Sequence, residues 1–128
     1  MGNGTSIGRV RGLGSAREGA HHFLQQRYTA FANIALMLWF IFSIARLPDF
    51  AFKTVTTWLG SPLAAVPMVL LILSVFTHFR LGLQTVIEDY QHDENRLIAL
   101  VALNIFTVGA GALAIFSILK IAFAGSAA

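Results

Sequence analysis

The run LAAVPMVLLILSVFTHFRLGLQTVI, residues 63–87, is apolar over a length that crosses about 30 Å of hydrocarbon, yet it carries a histidine and an arginine. It then breaks into EDYQHDENR, residues 88–96, where four carboxylates crowd around a tyrosine, a histidine and an arginine. With no water in a bilayer core, such a segment satisfies its backbone hydrogen bonds only as a helix. A closed β-barrel is excluded, because strict alternation is missing and three segments cannot close.

Two further runs have the same character. YTAFANIALMLWFIFSIA spans Tyr28–Ala45 and is closed by Arg46 and Pro48. LIALVALNIFTVGAGALAIFSILKIAF spans Leu97–Phe123, with Lys120 placed to snorkel near its far end. With flanking residues the three helices cover about 28–46, 62–88 and 96–123, behind a tail at 1–15. Composition agrees: 56% of the 128 residues are hydrophobic and 12% charged, too little polar surface for a soluble domain. The expected fold is all-α and integral to a membrane, three transmembrane helices with short interfacial helices in one domain, 1–128.

Positive charge sets the expected orientation. Arg9, Arg11, Arg17, Arg27 and Arg96 lie on one side and Arg46, Lys53 and Lys120 on the other, which places the N-terminus and second loop in the cytoplasm. The opening MGNGTSIGRVRGLGSAREGAHH lacks the apolar core of a secretory signal. Basic and nearly acid-free, it weakly resembles a mitochondrial presequence and reads as a mature cytoplasmic tail. SARE, Ser15–Glu18, has the capping-box pattern for a helix running towards Arg27. DFAFKTVTTWL spaces Phe52, Val55 and Leu59 helically beside Trp58, which predicts a short helix on the far membrane surface.

The chemistry concentrates near His78. Ten residues from Glu88, it lies roughly 15 Å deep at the helical rise, where an ionisable group is costly unless it works. Neutral imidazole is a good axial ligand for haem iron, and Gly82 one turn on makes room for a macrocycle. The competing account is a neutral ring bonded to a neighbouring helix. With one histidine at membrane depth, a bis-histidine haem needs its second ligand from another chain. Arg80 either snorkels to the headgroups or pairs with an anion such as a haem propionate. Tyr90 reads as aromatic belt by position alone, or as a donor to a carbonyl oxygen with Asp89 orienting an arginine. Adjacent His21 and His22 point about 100° apart and read as interface anchors. Asn104, Gly109 and Gly111 read as helix-packing features, Asn104 as an interhelical hydrogen bond.

The absences matter too. Without cysteine there are no disulfides, thiolate metal sites or thiol nucleophiles. There is no phosphate loop, Ser-His-Asp set or His-x-x-x-His pair, and nothing suggests a nucleic-acid partner. The chain suits a subunit rather than a free-standing enzyme or transporter.

Two stretches then resemble the small hydrophobic anchor subunit of succinate dehydrogenase, respiratory complex II. RGLGSAREGAHHFLQQRYTA is similar to its N-terminal entry, a Gly-x-His run before an Arg and a small-residue helix start. HFRLGLQTVIEDY is similar to its second-helix signature, with Gly82 four residues and Asp89 and Tyr90 eleven and twelve after His78. The wording of RLGLQTVIEDY looks most like alphaproteobacterial members. The resemblance covers essentially the whole chain as one membrane-anchor domain. It implies a non-catalytic subunit in a bacterial inner membrane, partnered by membrane lipid, a cytochrome b anchor subunit, an iron–sulfur subunit and a flavoprotein subunit. It further implies His78 as axial ligand of a shared haem b, Tyr90 and Asp89 at a ubiquinone site, and Arg27 and His21 near a haem propionate or the quinone pocket.

Two other classes remain open at this point. An accessory subunit of a proton-coupled transporter or channel would use His78 as a relay and bind no cofactor. A purely structural subunit of another respiratory complex would be indifferent to loss of His78.

Overall fold

The computed structural model describes residues 15–124, which form four helices in chain order: α1 (Ser15–Ala45), α2 (Phe52–Leu59), α3 (Pro62–Tyr90) and α4 (Asp93–Ala124). There is no strand among the described residues. α1, α3 and α4 are each long and apolar enough to cross a membrane, as expected from the three runs. The tail ahead of Ser15 lies outside the described residues.

The first span is longer than its apolar run. The segment from Ser15 and the span from Tyr28 form one continuous 31-residue helix. No proline interrupts residues 15–45, so nothing breaks the ladder between surface and membrane. α1 ends where Arg46 and Leu47 donate to the Ser43 and Ile44 carbonyls, a tightened last turn before Pro48. In the loop that follows, the Asp49 carboxylate accepts the Ala51 N–H at 3.0 Å. The Thr54 hydroxyl beside it and that N–H together hold its carboxyl below its ordinary value.

The remaining boundaries have local causes. Pro62 opens α3 at the position where a missing N–H costs nothing. Gln91 and His92 alone separate α3 from α4, a link so short that Asp93 adopts φ 56°. Aspartate tolerates this left-handed conformation better than most residues. Asp93 and Glu94 then place negative charge on the first turn of α4, where the helix dipole favours it.

α3 is the centre of the molecule. It packs against α1 on one side and α4 on the other, while α1 and α4 do not pack on each other. α2 closes the far end against α3 and α4, and its Trp58 stacks on Trp39 of α1 at 6.1 Å. Leu59 is buried there, while Phe52 on the same helix is exposed. At the α3–α4 seam Gly111 is buried, and a Cβ there would stand 3.6 Å from the Phe76 ring. Gly109 has nothing within 4 Å among the described residues, so within this chain it is Gly111 that packs at the seam. No large side chain is fully buried among the described residues, and apolar residues cover the outside of all three spans. That distribution suits a layer immersed in lipid or in partner helices rather than a closed core.

Candidate functional site

The seam between α1 and α3 is polar where the rest of the spans is greasy. On α1 the half-buried positions His22, Gln26, Thr29 and Asn33 recur at spacings of four, three and four, one stripe of a helix. On α3 the facing positions are Ser74, His78 and Gly82, each four apart. The Ser74 hydroxyl donates to the Thr29 carbonyl oxygen at 3.2 Å. His78 Nδ1 lies 3.0 Å from Thr29 Oγ1. That same oxygen is 2.9 Å from the Gln25 carbonyl oxygen and 3.1 Å from that of Gln26.

A Cβ at Gly82 would stand 3.5 Å from Gln26 Nε2, an ordinary contact distance, so Gly82 faces α1 across the same seam. Gln26 Oε1 and Asn33 Oδ1, flanking Thr29, are buried without a hydrogen-bond partner among the described residues. Both are acceptors, and burial makes a donor at each worth about 1–3 kcal/mol.

His78 therefore spends Nδ1 on α1 and has no protein partner for Nε2 among the described residues. No cluster of three or more His, Cys, Asp or Glu able to hold a bare metal ion occurs among those residues either. One imidazole supplies one ligand. That donor set fits an iron that brings its in-plane ligands with it, as haem does.

Arg80 faces the other way, because two helical residues turn the chain about 200°. Its Nε donates to Asn104 Oδ1 of α4, realising the interhelical bond expected of Asn104. The guanidinium is held at helix–helix depth beside a cleft of about 310 Å³ lined in part by Phe76, Thr77, Thr107 and Gly111. It has no part in the His78 seam. Asn104→Leu is expected to destabilise the α3–α4 pair by about 1–2 kcal/mol, through the lost bond and an unpaired charge. A lower melting temperature in detergent, with Asn104→Asp close to the parent, would show this. An unchanged melting temperature for Asn104→Leu would refute it.

The other anticipated residues lie apart from His78. Tyr90 ends α3 with 78% of its surface exposed, and Asp89 is exposed beside it. The carboxylate that engages an arginine is Glu88, whose Oε1 is 3.9 Å from Arg96 and accepts Gln84 Nε2 at 2.9 Å. Arg27 lies over the Phe23 ring of its own helix at 4.9 Å, and His21 is exposed. Of the two adjacent histidines, His22 is the one on the α3-facing stripe. Thr29, Ser74 and Gln26 escaped the sequence reading. The polar recurrence 22, 26, 29, 33 inside an apolar span was the signal that pointed to them.

Comparison with known proteins gives a consistent result. The family described as succinate dehydrogenase/fumarate reductase transmembrane subunit matches residues 1–111. The succinate dehydrogenase hydrophobic membrane anchor subunit of Rickettsia bellii is 32% identical over 103 residues, covering 80% of this chain and 82% of that protein. The same subunit of Rickettsia conorii is 31% identical over 115 residues, covering 86% and 91%. That of Paracoccus denitrificans is 27% identical over 111 residues, covering 87% and 86%. No solved structure matches the chain significantly.

Proposed function

The chain belongs to the succinate dehydrogenase/fumarate reductase transmembrane subunit family, and from that premise we propose that it anchors succinate dehydrogenase in the bacterial inner membrane and supplies part of its haem b and ubiquinone sites. It is the non-catalytic, hydrophobic anchor subunit. The flavoprotein and iron–sulfur subunits dock on its cytoplasmic side, and the larger cytochrome b anchor subunit covers its apolar faces. The N-terminus is cytoplasmic, as the five-to-three bias of flanking positive charge supports.

What supports this reading is His78 within the second apolar span: its Nδ1 meets the Thr29 hydroxyl of α1, as the competing packing account also expects, and its Nε2 has no partner among the described residues. His78 Nε2 would be one axial ligand of haem b. The group, when bound, supplies a one-electron store within the membrane. The residues of this chain do the rest. α1 would hold the plane of the imidazole through Thr29. At the cytoplasmic edge the exposed Tyr90 phenol would donate to a quinone carbonyl oxygen, with the Asp89 carboxylate beside it.

The test is to purify the tagged chain from membranes that also express the three partners. Co-purification of the flavoprotein and iron–sulfur subunits with a b-type reduced-minus-oxidised spectrum is the expected result. An intact four-subunit complex without haem would return His78 to a packing or proton-relay role.

A further inference from the structure

Thr29 has one hydroxyl proton and three neighbours at hydrogen-bond distance. Two are the carbonyl oxygens of Gln25 and Gln26, at 2.9 and 3.1 Å. Carbonyl oxygens only accept. If the proton went to His78 instead, Oγ1 would face the Gln25 oxygen at 2.9 Å lone pair to lone pair, a repulsive contact. The proton therefore lies towards the helix carbonyls, and the Oγ1 lone pairs face Nδ1 of His78 at 3.0 Å. Nδ1 must then be the donor and carry the ring hydrogen. In a neutral ring this leaves Nε2 as a bare lone pair. Ser74, one turn before His78, clamps the arrangement by bonding the Thr29 carbonyl at 3.2 Å.

We propose that Thr29 is a positioning residue for His78: its hydroxyl selects the tautomer with hydrogen on Nδ1, fixes the ring plane, and strengthens Nε2 as a ligand. The proposal rests on the haem reading above and deepens it. A hydrogen bond accepted from Nδ1–H pushes electron density into the ring and makes Nε2 more basic, which favours the ferric state of a bound iron. The hydroxyl thus acts on the iron through the ring, without touching it. α1 and α3 meet at this bond, so the same contact joins helix packing to ligand strength.

The experiment uses the purified four-subunit complex and two readouts besides turnover: the haem midpoint potential by redox titration, and the g-values of the oxidised haem by electron paramagnetic resonance. Thr29→Val, close in shape but without the hydroxyl, should keep haem and shift the ferric/ferrous equilibrium about tenfold towards ferrous, about 59 mV upward for one electron. The g-values should move with it as the ring gains freedom. Thr29→Ser should restore the parent potential. Thr29→Ala is measured alongside, so that a packing fault of valine is not mistaken for the lost bond. Parent potential and g-values in both the Val and Ala variants would overturn the proposal, as would a Ser variant shifted as far as Val. If His78→Ala kept its haem and spectrum, the underlying ligation reading would fail instead, and the two failures are told apart.

Discussion

His78→Ala is expected to lower the haem content of the assembled complex at least tenfold, with the b-type absorbance of the reduced protein falling in proportion. The size follows from the donor set. One imidazole is all this chain offers at that depth, and no other cluster among the described residues can replace it. Losing a single first ligand costs at least as much as the 10–100-fold typical of losing only a supporting hydrogen bond behind one. The measurement is haem per flavin in the purified complex, which separates loss of ligand from loss of assembly. Unaltered haem per flavin would remove His78 from ligation. The cavity left by alanine would also release Thr29 from its partner, so α1 should loosen against α3 and the complex should melt earlier.

The second large effect is expected at the cytoplasmic edge. Tyr90→Phe should reduce succinate–ubiquinone turnover about tenfold while leaving electron transfer from succinate to a soluble dye intact. The phenol is 78% exposed and bonded to nothing among the described residues, so deleting its oxygen leaves no orphaned group within this chain. Any loss must come from a partner or substrate that the hydroxyl meets in the complex. One hydrogen bond to a bound carbonyl is worth about 1–1.5 kcal/mol, and 1.36 kcal/mol is tenfold in rate. Equal retention of both activities would return Tyr90 to the aromatic belt. Equal loss of both would mean that the flavoprotein or iron–sulfur subunit had been displaced.

Much of this was legible in the residues themselves. Three long apolar runs admit only helices in a bilayer, and the observed α1, α3 and α4 follow from that single constraint. His78 was conspicuous because an imidazole stands out in a greasy run. Its partner was not, because a threonine in a span is unremarkable singly. Only the pairing of α1 with α3 turns Thr29 into half of a bond across 49 positions. Arg80 could not be placed from sequence because its partner depends on which helix flanks which face of α3. Once α4 lies there, Asn104 is within reach and snorkelling is not required. The same limit applies to glycine. Gly109 and Gly111 differ by two residues and look equivalent in the chain, but only one of them meets Phe76.

The order of the helices has a consequence for synthesis. α1 is made before α3, carrying Gln26, Thr29 and Asn33, and the α3 residues that bond Thr29 follow it 45 and 49 residues downstream. At about 5–20 residues per second, the stripe waits roughly 2–10 s before Ser74 and His78 exist. Thr29 spends that interval bonded to its own helix, through the Gln25 and Gln26 carbonyls. What the arrival of α3 adds is a set of partners for Thr29, the Ser74 hydroxyl at its carbonyl and the His78 ring at its hydroxyl, while the Gln26 and Asn33 side-chain oxygens stay unpaired among the described residues.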